Sequence, residues 1–87
     1  MQKKIEIPTL LFWENGNSWY GSKGETRFFI EPVETEDAGR ELSAEVWRGP
    51  MTRELSEILA TNRFPLSEDG LKKVTEWLEQ WALQLGG

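Results

Sequence analysis

The residues able to do chemistry in this chain are aromatic, guanidinium and carboxylate groups. Trp13, Trp19 and Tyr20 lie within eight positions of one another. Flat rings at that spacing could form a platform for an oligosaccharide or a stacked aromatic ligand, and equally could be ordinary cross-strand packing. Arg27, Phe29, Glu45 and Trp47 recur at alternate positions of two apolar-rich segments. Trp and Arg are the side chains enriched at protein-binding hot spots, and Arg27 beside Trp47 would make a cation–π pair. Glu14 sits between aromatic patches, where desolvation could suit general acid–base work; the bland alternative is a solvated turn residue. Ser22 and Lys23 are neighbours, but adjacent strand residues point to opposite faces, which argues against a Ser–Lys pair.

Other patterns point to structure. Gly21-Ser22-Lys23-Gly24 has the GxxG form of a nucleic-acid backbone clamp, but that clamp lies between helices and this stretch follows a strand-like one. A polar turn using glycine at positive φ is the simpler reading. Glu31, Glu34, Glu36, Asp37 and Glu41 could offer oxygen ligands to Ca²⁺, but their spacing matches no EF-hand loop and reads as a solvated acidic stretch. No metal or cofactor is expected.

Whole classes of chemistry are closed. The 87 residues contain no Cys and no His. A disulfide framework, thiol nucleophile, Cys/His zinc site or Ser–His–Asp triad is therefore impossible within this sequence. The net charge is −5 and is evenly spread, with 8 acidic and 5 basic groups in residues 1–43 and 7 and 5 in residues 44–87. Without a basic half or tail, nucleic-acid binding is disfavoured. No run approaches the roughly 20 apolar residues of a membrane helix. The stretch MQKKIEIPTLLFW is broken by Glu6 and Pro8 and makes a poor signal peptide, so the expected location is the cytoplasm.

A single α+β domain over 1–87 is expected to position these groups. Leu71, Val74, Leu78, Trp81 and Leu85 follow helical spacing, with Trp77 and Ala82 flanking the stripe. They predict an amphipathic helix over about 67–85, capped by Ser67, with Glu68 and Asp69 at its positive end and Gly86 and Gly87 after it. Segments 26–34 and 41–48 read as antiparallel strands. Pairing Phe28 with Val46 sets Ile30 opposite Ala44 and Pro32 opposite Leu42, which gives one apolar face. Pro32 requires a sheet edge or bulge there. Asn15-Gly16 is a strong hairpin signal. It would pair Phe12 or Trp13 with Trp19, in a register the sequence leaves open, and Ile5 and Ile7 would extend that strand. Residues 51–62 fit either a helix or a strand, with a slight lean to the strand.

The segments WENGNSWYGS, VWRGP and FPLSEDGLKKVTEWL resemble blocks of small bacterial proteins with no assigned activity, built around a sheet ending in one helix. That resemblance implies a cytosolic, non-enzymatic domain and supplies no catalytic residue.

The expectation is thus an antiparallel sheet of three or four strands with the C-terminal helix on one face. The other face, carrying Arg27, Phe29, Glu45 and Trp47, would be uncovered. A non-catalytic protein–protein interaction module, with a partner protein or a second copy docking on that face, is the first functional expectation. A ligand or carbohydrate module using Trp13, Trp19 and Tyr20 is the alternative.

Overall fold

Alternating apolar residues in the middle of the chain and 3.6-residue spacing at its end produce a four-stranded antiparallel meander followed by a helix. The computed structural model describes residues 5–37, 39–50 and 52–85. In chain order the elements are α1 (Leu10–Glu14), β1 (Trp19–Lys23), β2 (Thr26–Thr35), β3 (Gly39–Arg48), a 3₁₀ turn (Arg53–Leu55), β4 (Ala60–Pro65) and α2 (Glu68–Gln84). The sheet order is β1-β2-β3-β4. No helix among the described residues is long and apolar enough to cross a membrane.

The β2–β3 register is the one expected, with Phe28 opposite Val46, Ile30 opposite Ala44 and Pro32 opposite Leu42. The Gly49 N–H donates to the Glu25 carbonyl at 2.7 Å in the same register. Hydrogen-bonded pairs alternate along an antiparallel ladder, so the odd-numbered residues of β2 bond to β3 and the even-numbered ones face β1. The missing N–H of Pro32 therefore points to the β1 side. β1 ends at the Trp19–Ile30 pair, so Pro32 lies beyond it, at the edge position its chemistry demands.

α2 covers the face built from Phe28, Ile30, Leu42, Ala44, Val46 and Phe64, burying Val74 and Leu78 against it. Trp77 and Trp81 pack at the margin of this core, with the Phe64 and Trp77 ring centroids 5.9 Å apart. The Ser67 hydroxyl caps α2 by accepting from the Gly70 N–H at 3.1 Å. At the far end of the helix, Glu79 accepts from Lys23 Nζ and from the Ile5 N–H, each at 2.6 Å, and ties β1 and the leading segment to α2.

Three expectations are corrected. Asn15-Gly16 does not turn a hairpin. Leu10–Glu14 is a short helix, Asn15 donates back to Leu11 at 3.1 Å, and Gly16 follows at φ +84°. Asn-Gly supplies the same left-handed freedom to a helix end as to a hairpin, and here the helix uses it. The hairpin forms at Gly24-Glu25, between paired Lys23 and Thr26, with Gly24 at φ +59° in the first central position. Second, Ile5 and Ile7 extend no strand and pack as half-buried residues against the core. Third, residues 51–62 are neither one helix nor one strand: the 3₁₀ turn precedes β4, which begins at Ala60. Met51, Gly86 and Gly87 lie outside the described residues.

Thr26, at the start of β2, is fully buried, and its hydroxyl has no hydrogen-bond partner among the described residues. Thr26→Val keeps the shape and removes a desolvated polar group. The variant is expected to match or exceed the parent in stability, by about 1 kcal/mol. Urea unfolding followed by tryptophan fluorescence checks this, and a loss of similar size would mean that the hydroxyl is bonded.

Candidate functional site

The side chains of β2 and β3 that turn away from α2 are Arg27, Phe29, Glu31, Ser43, Glu45 and Trp47, paired as expected across the two strands. β1 adds Tyr20 opposite Phe29. The three rings form a cluster, with Tyr20 4.5 Å from Phe29 and 6.5 Å, edge-on, from Trp47.

This face is not bare. Phe29 is 8 % exposed and Trp47 3 %. The link from β3 to β4 runs over them, and Arg53 lies 4.8 Å above the Phe29 ring while its Nε donates to Glu45. The Glu45 carboxylate raises the Arg53 pKa above its already high ordinary value, so the guanidinium stays charged. The cation–π contact and the ion pair both hold this link against the face, weakened by solvent screening at the exposed guanidinium. Elsewhere the face is polar, with Thr61 and Arg63 on β4 and an Arg63–Glu41 pair at 3.7 Å. The apolar content of the face is thus met within the chain, and a second copy is not needed to bury it. The signal was in the connection: a segment of about a dozen residues is too long for a tight hairpin and must pack somewhere.

A cleft of about 320 Å³ lies open between β1 and the link, lined by Tyr20, Gly21, Arg27, Trp47, Pro50, Thr52, Arg53 and Glu54, and a polar one of about 420 Å³ lies beside β4, lined by Ser43, Glu45, Thr61, Asn62 and Arg63. Tyr20 is 56 % exposed. Arg27 donates to the Gly24 carbonyl at 2.6 Å, which fixes its guanidinium along the β1–β2 turn. A β-carbon on Gly49 would lie 2.6 Å from that guanidinium, so the absence of a side chain there makes its berth. Two of the four expected face residues, Arg27 and Trp47, therefore line the first cleft. Phe29 and Glu45 lie beneath and beside Arg53.

The alternative platform is dispersed. Trp13 is fully buried in the core, where its indole N–H donates to the Pro8 carbonyl at 3.0 Å. Trp19 and Tyr20, as neighbours in β1, point to opposite faces of the sheet. Trp19 contacts Phe12 on the helix side at 6.0 Å. Glu14 is exposed on α1, where its carbonyl accepts from Arg40 at 2.9 Å. Among the described residues, no group of three or more acidic side chains is gathered closely enough to hold a metal ion. Comparison of the sequence with protein-family models and with curated proteins, and of the fold with solved structures, finds no match.

Proposed function

We propose that this chain is a small non-catalytic interaction module that takes a side chain of a partner protein into the Tyr20–Trp47 cleft. The observation that carries the reading is the cleft's composition: an aromatic floor of Tyr20 and Trp47 with Arg27 and Arg53 at its rim. Tyr, Trp and Arg are the residues on which binding energy concentrates: the two rings bury large area at low entropic cost, and the guanidinium offers several donors in a fixed plane. The guanidinium of Arg27 is held by a backbone carbonyl, so it would lose little freedom on binding. A non-catalytic role fits a sequence without His or Cys, and a cysteine-free chain fits the cytoplasm.

The test is selection of a random peptide library on the immobilised protein. Peptides recovered on the parent are expected to bind Tyr20→Ala or Arg27→Glu at least about tenfold more weakly, a loss of about 1.4 kcal/mol. They should also shift the amide resonances of Gly21, Trp47 and Thr52. Peptides that bind both variants as tightly as the parent would place recognition elsewhere.

A further inference from the structure

The two outer edges of the sheet differ in what they offer to another strand. Ladder alternation assigns Thr61, Arg63 and Pro65 as the residues of β4 whose backbone groups face outward. Pro65 has no N–H, and the Arg63 N–H is already taken by the Asn62 side chain at 2.8 Å. Only the Thr61 donor remains, so β4 is a blunted edge. On β1, by the same alternation, Trp19, Gly21 and Lys23 bond to β2, and Tyr20 and Ser22 face outward. Both residues are exposed. Each presents an N–H and a C=O to the outside.

We infer that the β1 edge pairs with the β1 edge of a second copy, antiparallel about a two-fold axis at Gly21. In that register Tyr20 meets Ser22 of the second copy and Ser22 meets its Tyr20, so all eight outward backbone groups of the pair are hydrogen-bonded. Gly21 faces Gly21 in a non-hydrogen-bonded pair, where strands approach most closely, about 4.5 Å between Cα atoms. Neither copy has a side chain to place there. A β-carbon on Gly21 would lie 2.5 Å from the Phe28 ring, so the packing of each copy already requires glycine at the axis. On the helix side of the sheet Trp19, 37 % exposed, faces the aliphatic stem of Lys23 of the second copy, whose ammonium stays with Glu79 of its own chain.

The edge therefore complements itself in shape and hydrogen bonding, which favours a second copy over an unrelated strand. The blunted β4 edge makes the assembly close at two copies instead of growing into a filament. The pairing does not depend on what occupies the Tyr20–Trp47 cleft.

The test combines sedimentation with amide exchange over about 10 μM to about 1 mM, the range in which small interfaces associate. The average mass is expected to climb from 10.1 kDa toward twice that value. With it, the Tyr20 and Ser22 amides should slow at least about tenfold while the Thr61 amide does not change. Ser22→Pro deletes an outward donor and no bond to β2, so this variant is expected to stay monomeric and folded. A constant mass of 10.1 kDa would overturn the inference. So would a dimer with unprotected Tyr20 and Ser22 amides, protection of those amides that ignores concentration, or a folded Ser22→Pro variant that dimerises like the parent. If Ser22→Pro does not fold, the two parent measurements decide alone.

Discussion

Gly70→Ala is expected to destabilise the protein by at least about 3 kcal/mol, the upper end of the usual cost of overpacking. The direction is the reverse of what helix propensity dictates. An alanine inside a helix is favoured over glycine by about 1 kcal/mol. Gly70 sits in the first turn of α2, where the chain has just left β4, and it is buried. A β-carbon there would lie 1.8 Å from the Pro65 carbonyl oxygen and 2.8 Å from its carbon. Those are backbone atoms, so no rotamer change relieves the overlap. The same carbonyl accepts from the Ser67 N–H at 3.0 Å, and Ser67 caps the helix through the Gly70 N–H. To make room, the strand end must move away from the helix start, and the cap and this turn separate together. For a domain of this size 3 kcal/mol lowers Tm by about 12–24 °C. Thermal unfolding followed by circular dichroism measures it, and a rise in Tm would mean that α2 does not start against Pro65.

Trp13→Ala is expected to cost about 3–5 kcal/mol, the range for removing a large aromatic from a core. Total stabilities are about 5–15 kcal/mol, so a loss of this size leaves a marginally folded protein. Trp13 is fully buried among Phe28, Ile30, Leu42 and the residues α2 presents. Its indole N–H is satisfied by Pro8, so truncation opens a cavity and also leaves that carbonyl without its donor. Trp13→Phe retains most of the volume and should recover more than half of the loss. The pair of variants separates two roles for this ring. A binding-platform residue would leave unfolding unchanged when truncated, whereas a core residue lowers the urea midpoint without changing the slope.

The sequence by itself was enough for the elements in which periodicity carries the information. The register of β2 against β3 follows from Phe28, Ile30, Ala44 and Val46 alternating in step, because a slip of one residue would turn the whole apolar set into water. The span and cap of α2 follow from an apolar stripe bounded by Ser67. The same alternation placed Arg27, Phe29, Glu45 and Trp47 on one face.

Only the tertiary structure decided what lies over that face and where Trp13 belongs. Asn15-Gly16 suits a helix end and a hairpin equally, because both use a residue at positive φ, and local chemistry cannot choose between them. The choice came from packing: closing α1 drives the Trp13 indole into the core, which an exposed hairpin strand would not do. Arg53 carries no periodic signal at all. It reaches Phe29 and Glu45 because the link between β3 and β4 must fold back onto the nearest apolar surface, and its contact with Phe29, about two dozen residues away in the chain, depends on the whole fold.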